Sequence, residues 1–408
     1  MYRYALSTTG SNLLDLDKQI EKDLQLCRDV QVGGNTSSIL QNKLHTLLEY
    51  IPTSYSTKFR NPCWYDFHQI PNSSLLQTTR WCPPPRLSYD PAQSRQVLKQ
   101  VKSSGKRQLH CLPAFFLSGF PKCGSTTLYA MLLKHSLVVK TVCKESQFWT
   151  QFLEQQGTDL DKKMQVLWYI NFFSQSTQTI KSSPLNMTLD ASGRYLVWNT
   201  ESDFCVLPNL LMRVLPEAKF IVMMRNPSER VFSHYYYFSV LKLPKKFANI
   251  SQYSHSRESL EAFHNNTVRA IARFQSCVNS GHPVSHCVKN KSIDQQAIFG
   301  YQNGCVGLQY SIYYYHIVPW LNFIHRERFL FLRSEDLANN ATLTMSNVWN
   351  FLNIDDELVT KEVFANVNKK AKGLTFPPQT KELLDDFFQP YNRLLSHLLQ
   401  DTRFLWND

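Results

Sequence analysis

No stretch of this 408-residue chain approaches the ~20 consecutive apolar residues of a membrane-spanning helix. The opening "MYRYALSTTGSNLLDLDKQ" likewise lacks the apolar core of a secretory signal. There is no internal repeat, which argues against a solenoid or propeller. There is no low-complexity tract, so no segment is too biased in composition to fold. Acidic residues are in short supply, with 32 Asp and Glu against 44 Lys and Arg, a formal charge of +12. An excess of that size points to a polyanionic partner: nucleic acid, anionic lipid or acidic polysaccharide. With 43% hydrophobic residues the chain has material for one large domain or two modest ones.

What is present bears first on compartment. The ten cysteines are even in number, and N-x-S/T sequons occur at Asn35, Asn72, Asn186, Asn249, Asn265, Asn290 and Asn340. Together they favour a secretory-pathway lumen. Neither a signal nor a span is seen, so either the sequons are idle in a cytosolic chain or an N-terminal anchor lies outside the sequence, and the second is the expectation. The short loop "CVNSGHPVSHC" predicts a Cys277–Cys287 disulfide. Cys123 and Cys143 fall inside apparent core elements and are expected as buried free thiols.

Three regions follow from the pattern. Residues 1–57 are polar, with one helical stretch, and read as a stem or linker. Residues 58–110 hold two Cys-Trp clusters, "NPCWYDF" and "RWCPPPR", and read as an ordered extension strapped onto a core. From 111 to 408 strand and helix patterns alternate, the mark of an α/β domain with a parallel sheet. "PAFFLSG", "AKFIVMMR" and "RFLFLR" are the buried strands. "STTLYAMLLKH", "TLTMSNVWNFLNI" and "TKELLDDFFQPYNRLLSHLLQ" have helical spacing. In "NPSERVFSHYYYFS", Asn226 is placed to cap a helix, Pro227 to start it and Glu229 to complete a capping box.

The chemistry centres on "FLSGFPKCGSTTLY". Gly119 and Gly124 have the spacing of a phosphate loop, yet position 125 is Ser and the lysine comes early, at Lys122. Strand, glycine turn and helix start still aim backbone N–H groups at an anion. A nucleoside triphosphatase would place a Mg²⁺-binding acid at a neighbouring strand end. Here "FIVMMRNP" ends in Arg225, so side-chain cations are expected to do the neutralising and no metal is expected. "RNPSERVFSHY" adds Ser233 two helical turns on, and an arginine fork with a hydroxyl suits a second phosphate. Two such sites fit a nucleotide phosphorylated at both ends.

"FPKCGSTTLY" resembles the 5′-phosphosulfate loop of sulfotransferases, and "RNPSERVFSHY" resembles their 3′-phosphate motif. "KESQFW", "TLDASGRYLVWN", "FLFLRSEDL" and the C-terminal "FFQPYNRLLSHLLQDTRFLWN" extend the likeness to the Golgi carbohydrate sulfotransferases across roughly residues 58–408. Upstream, "NPCWY" resembles those acting on N-acetylgalactosamine 4-sulfate in chondroitin and dermatan sulfate. The resemblance implies a P-loop-like parallel β-sheet flanked by helices. It implies 3′-phosphoadenosine 5′-phosphosulfate as co-substrate, a sulfated glycosaminoglycan as acceptor, and no nucleic acid partner. Lys122, Cys123, Gly124, Ser125, Thr126 and Thr127 would hold the phosphosulfate, with Lys122 also stabilising the leaving group. Arg225 and Ser233 would hold the 3′-phosphate, and Lys372 and Gly373 would close over the nucleotide. Glu145, expected at the end of the strand after the loop's helix, would be the general base, unless it merely pairs with Lys144 or Lys122. Gln147, where many relatives carry His, and Arg194 would meet the acceptor. The lysines at 242, 245 and 246 fit an acceptor contact less well than a solvated surface. A heparan sulfate N- or O-sulfotransferase and a non-catalytic glycan-binding relative are the alternatives.

Overall fold

The computed structural model describes residues 18–24, 27, 34–67, 70, 76, 90–102, 106–154, 157–197, 205–237, 257–290, 292–293, 306–356 and 376–407. Its strands are β1 (Cys63–Asp66), β2 (Gln108–Cys111), β3 (Phe115–Gly119), β4 (Val138–Val139), β5 (Met187–Asp190), β6 (Lys219–Met224) and β7 (Phe329–Arg333). Five of these form one sheet in the order β4-β5-β3-β6-β7, and every pairing in it is parallel. β3 is buried at all five positions and β6 at all but its first. Strands covered on both faces read as continuous apolar runs, which is why these two were visible in the sequence.

One face of the sheet carries an aromatic ladder. Phe116, Phe220 and Phe329 are in register across β3, β6 and β7. Their rings stack at 5.2 Å and 5.1 Å between centroids. Such pairs add about 0.5–1.5 kcal/mol each beyond the area they bury. At its end β3 runs so close to β6 that a Cβ on Gly119 would lie 2.6 Å from the Met223 carbonyl oxygen, and its φ of +139° also demands glycine.

The helices that matter for the site are α1 (Gly34–Leu48), α2 (Ser125–Leu132), α3 (Phe148–Glu154), α4 (Asp159–Phe172), α5 (Val206–Val214), α6 (Pro227–Tyr235), α7 (Tyr313–Leu321) and α8 (Ser334–Asn339). α2 follows β3, α6 follows β6 and α8 follows β7. Their N-termini therefore gather along the carboxyl edge of the sheet, where α/β folds place ligands.

The outlying segments are tied to this body. Cys63 and Cys111 face each other across the antiparallel β1–β2 pair and form a disulfide. The Asn61 side chain donates to the Asn186 carbonyl at 2.8 Å and accepts from the Thr188 N–H at 2.9 Å, which fastens the hairpin to the start of β5. In the segment read as a stem, Leu47 of α1 belongs to the main core. Cys27 is disulfide-bonded to Cys205, next to α5. The expected Cys277–Cys287 bond is present, and Cys123 is a buried free thiol. Cys143, expected to be free as well, is disulfide-bonded; it lies in the loop beyond β4, not inside a core element. Among the described residues, no helix is long and apolar enough to cross a membrane.

Candidate active site

The loop between β3 and α2 is shaped by its own residues and held by three neighbours. Lys122 and Gly124 have positive φ, 74° and 83°. Gly124 precedes α2 without any side-chain cap, so the first backbone N–H groups of the helix face outward unsatisfied by side chains. Arg230 of α6 donates to the Pro121 carbonyl at 3.3 Å. Ser334 of α8 donates to the Cys123 carbonyl at 2.6 Å and to the Met224 carbonyl at 3.1 Å. Tyr313 of α7 donates to the Arg225 carbonyl at 2.7 Å and stands 3.7 Å from the Cys123 sulfur. Burial pushes the Cys123 thiol up to about 12, so it is a packed, inert thiol at neutral pH.

Cations crowd this loop. The Lys122 ammonium sits 3.7 Å from the centroid of the Tyr237 ring. Burial, then Arg225 and Arg230, push Lys122 down to about 8, with Lys144 adding to the effect and Cys123 opposing it. A lysine lowered by burial and by neighbouring cations is suited to a bound anion, which favours its charged form. Arg230 is fully buried. It donates to Ser311 Oγ at 2.5 Å, to the Gly307 carbonyl and to Pro121. Its neighbour His234, also buried, is held well below the usual imidazole range by burial and by Arg230, so it stays neutral.

Arg225 directly follows β6 and pairs with Glu229 at 3.1 Å. Asn226 caps α6 by accepting from the N–H groups of Ser228 and Glu229 at 3.0 and 3.2 Å. The expected capping box does not form. Glu229 is taken by Arg225, and the Asn226 N–H donates instead to Glu335 of α8 at 2.7 Å. Ser233 lies half-buried on the same helix.

Glu145 is not at a strand end. β4 stops at Val139, and Glu145 lies in the loop before α3. Both its carboxylate oxygens are held. Lys144 Nζ donates to Oε1 at 3.0 Å and Gln147 Nε2 to Oε2 at 2.6 Å. The same Lys144 ammonium reaches Ser125 Oγ at 3.2 Å and Thr126 Oγ1 at 3.3 Å on the first turn of α2. The Lys144 ammonium thus bridges a carboxylate and the phosphate-type loop, which are two hydrogen bonds apart.

Behind that loop is a buried carboxylate that sequence reasoning missed. Asp190, the last residue of β5, is fully buried. It accepts from Ser192 at 2.6 Å, Ser146 at 2.7 Å, Tyr195 at 2.8 Å and Tyr169 at 3.1 Å. Burial pushes its carboxyl up while the four hydroxyls pull it down, and burial prevails. Ser192 in turn accepts from the Gln147 N–H at 2.9 Å, fixing Gln147 at a φ of +53°. A Cβ on Gly193 would lie 3.7 Å from Ser125 Oγ, so this turn also abuts α2. Arg194, half-buried, is in the same turn.

The structure therefore brings Lys122, Cys123, Gly124, Ser125, Thr126, Thr127, Glu145 and Gln147 to one edge of the sheet, with Arg194 in the turn that abuts it and Arg225 and Ser233 on the adjoining β6–α6 unit. Lys372, Gly373 and the lysines at 242, 245 and 246 lie outside the described residues. Lys144, Asp190 and Arg230 are additions. Lys144 stands beside Glu145 in sequence and Arg230 lies within the second anion motif; both were readable signals. Asp190 shows only once β5 is recognised as a strand. Among the described residues, no group of three or more His, Cys, Asp or Glu is arranged to hold a metal.

A parallel sheet with an uncapped helix start among cations at its carboxyl edge suits the binding of an anionic group. The chain belongs to the sulfotransferase domain family, whose profile matches residues 112–376, and it is a sulfotransferase. Carbohydrate sulfotransferase 15 of Rattus norvegicus is 27% identical over 409 residues, covering 90% of this chain and 68% of that protein. Its Homo sapiens counterpart is 26% identical over the same span. Bifunctional heparan sulfate N-deacetylase/N-sulfotransferase 4 of Mus musculus is 24% identical over 328 residues, covering 74% of this chain and 32% of that one. Among solved structures, the sulfotransferase from Alicyclobacillus acidocaldarius aligns over 71% of this chain and 96% of its own, at 18% identity and a TM-score of 0.45.

Proposed function

We propose that the enzyme transfers the sulfuryl group of 3′-phosphoadenosine 5′-phosphosulfate to a glycosaminoglycan hydroxyl, the 6-O of N-acetylgalactosamine 4-sulfate in chondroitin or dermatan sulfate. The donor's 5′ group lies at the start of α2, held by Lys122 and by the amides and hydroxyls of Gly124, Ser125, Thr126 and Thr127. Arg225 and Ser233 hold the 3′-phosphate, Arg225 exchanging Glu229 for it. Lys372 and Gly373 close over the nucleotide. Glu145 removes the acceptor proton, the acceptor oxygen attacks sulfur in line, and Lys122 takes up the charge on the departing phosphate. Gln147 and Arg194 meet the acceptor, Arg194 by its fork on a sulfate ester.

The observation that supports this reading is the Lys144 ammonium bridging the Glu145 carboxylate to Ser125 and Thr126, two hydrogen bonds away. Simple pairing of Glu145 with Lys144 is the competing role, and the Glu145→Gln variant below separates the two. The acceptor class is supported by the +12 charge and by the carbohydrate sulfotransferases among the relatives. The disulfides support placement in the Golgi lumen.

Labelled donor offered with desulfated and sulfated chondroitin, dermatan and heparan chains tests the acceptor. Incorporation into 4-sulfated chondroitin or dermatan is expected. Incorporation into heparan alone would transfer the chain to the heparan class, and none anywhere would mark a non-catalytic relative. Glu145→Gln is expected to lower turnover by ~10²–10⁴-fold while leaving the affinity for adenosine 3′,5′-bisphosphate intact.

A further inference from the structure

The activity proposed above uses the carboxyl ends of the sheet strands. The opposite edge of the sheet carries a surface with no part in it. β2 runs into the amino end of β3 through residues 112–114, and Asn61 fastens the hairpin to the start of β5. The β1–β2 hairpin therefore sits at the amino edge, one length of the five-residue β3, ~16 Å, from the donor loop.

Two aromatic rings stand out from this hairpin. Tyr65 is 47% exposed, and Phe67, just past the end of β1, is 52% exposed. Side chains two apart along a strand point the same way, so both rings share one face. The face is anchored from within. Cys63 and Leu109 beside the rings are buried in a small cluster with Phe59, Cys111 and Ile180, and Tyr65 pairs with Leu109 across the strands. Cations border the rings. The Arg107 guanidinium lies 5.1 Å from the centroid of the Phe67 ring, and the Lys58 ammonium lies 5.7 Å from that of Phe59. Both cations are exposed. Among the described residues, neither is paired with a carboxylate. Asp66, between the two rings in sequence, falls on the other face of the strand.

We propose that this face is a second binding site for the sulfated glycosaminoglycan chain, holding the polymer while another stretch of it enters the catalytic edge. This rests on the acceptor class proposed above. A pyranose ring turns C–H groups toward one side, and these pack on an exposed aromatic ring. Sulfate esters and carboxylates on its rim are anions, which Arg107 meets with a planar fork and Lys58 with a point charge. Single exposed aromatics are ordinary, but a pair bordered by unpaired cations offers both halves of a sulfated sugar a partner. A polymer repeats the same epitope many times. One stretch held at the hairpin raises the local concentration of the rest at the catalytic edge, and a short oligosaccharide gains nothing from it.

Binding and turnover are measured on wild type, on Tyr65→Ser combined with Phe67→Ser, and on Arg107→Ser. These side chains are exposed, and thermal unfolding checks that the variants stay folded. The aromatic variant removes no charge, so it separates a shaped site from general attraction to a basic surface. The probes are chondroitin 4-sulfate polymer and its tetrasaccharide. Each variant is expected to weaken calorimetric binding of the polymer about tenfold and to raise the polymer KM to match, with kcat and the tetrasaccharide KM unchanged. Polymer binding that is absent in wild type, or unchanged in the aromatic variant, overturns the second site. So does an equal rise in KM for polymer and tetrasaccharide, which would put these residues at the catalytic edge. Phosphatidylserine vesicles that bind wild type and lose affinity in the variants, while polymer binding holds, would assign the face to a membrane instead. Wild type that binds the polymer through these residues yet transfers no sulfuryl group to chondroitin would overturn the acceptor reading and leave this site standing.

Discussion

Lys122 gives the site a pH dependence whose sign can be worked out. Burial and the nearby Arg225 and Arg230 hold it at about 8. A bound phosphate favours the ammonium form and raises that value. Above pH 8, binding must therefore take up a proton, and the dissociation constant of adenosine 3′,5′-bisphosphate should rise by up to about tenfold per pH unit. Below pH 8 the contribution of Lys122 flattens. Calorimetry at pH 9 in buffers of different ionisation enthalpy should register close to one proton taken up, and Lys122→Met should abolish that uptake. Asp190 makes a different kind of prediction. Asp190→Ala strands four buried hydroxyl donors, each worth about 1–3 kcal/mol when left unpaired and not additive. A loss of about 3 kcal/mol or more in chemical unfolding is expected, and also a fall in turnover, since Ser146 and Gln147 frame the base. Asp190→Asn, of equal size, should lose less stability.

At the scale of elements, legibility followed burial and length. β3, β6 and β7 announced themselves as apolar runs buried on both faces, and β3 and β6 led directly to the two anion motifs at their ends. β4 and β5 did not. β4 has two residues, too few for any period to show, and β5 is "MTLD", four residues with a Thr and an Asp, buried because of what surrounds them. Missing β5 meant missing Asp190, and β4, which stops at Val139, left Glu145 in a loop and not at a strand end. The capping box misread has the same origin. The local pattern around Asn226 was right about the cap, but Glu229 and Glu335 exchange roles through a contact between α6 and α8 that no local rule contains. Gly119 shows how tightly β3 and β6 must meet for the loop to form. Gly119→Ala puts a methyl carbon into the Met223 backbone at a φ that costs about 1–3 kcal/mol by itself. Thermal unfolding should show a clear loss of stability, with nucleotide affinity falling alongside it.

Across the whole molecule, the transferase body is laced to its outlying segments by covalent bonds. The Cys27–Cys205 bond spans 178 residues, and Cys63–Cys111 closes the β1–β2 hairpin. Removing a native disulfide costs about 2–5 kcal/mol in a small domain, more for long loops. The double variant Cys27→Ser with Cys205→Ser should unfold at a lower temperature than wild type. It should keep its nucleotide affinity while folded, because the contacts that hold the β3–α2 loop come from Arg230, Ser334 and Tyr313. Equal unfolding temperatures would mean that α1 and its neighbours hold to α4 and α5 by packing alone.

The central claim is that two cationic places, at the ends of β3 and β6, grip opposite ends of one adenosine nucleotide. Calorimetric titration with adenosine 3′,5′-bisphosphate and with adenosine 5′-monophosphate tests it most directly, in wild type and in Arg225→Ala. Tighter binding of the bisphosphate by wild type, with the preference erased in Arg225→Ala and the monophosphate affinity unchanged, is the predicted result. Equal binding of the two nucleotides by wild type, or a preference that survives Arg225→Ala, would contradict it.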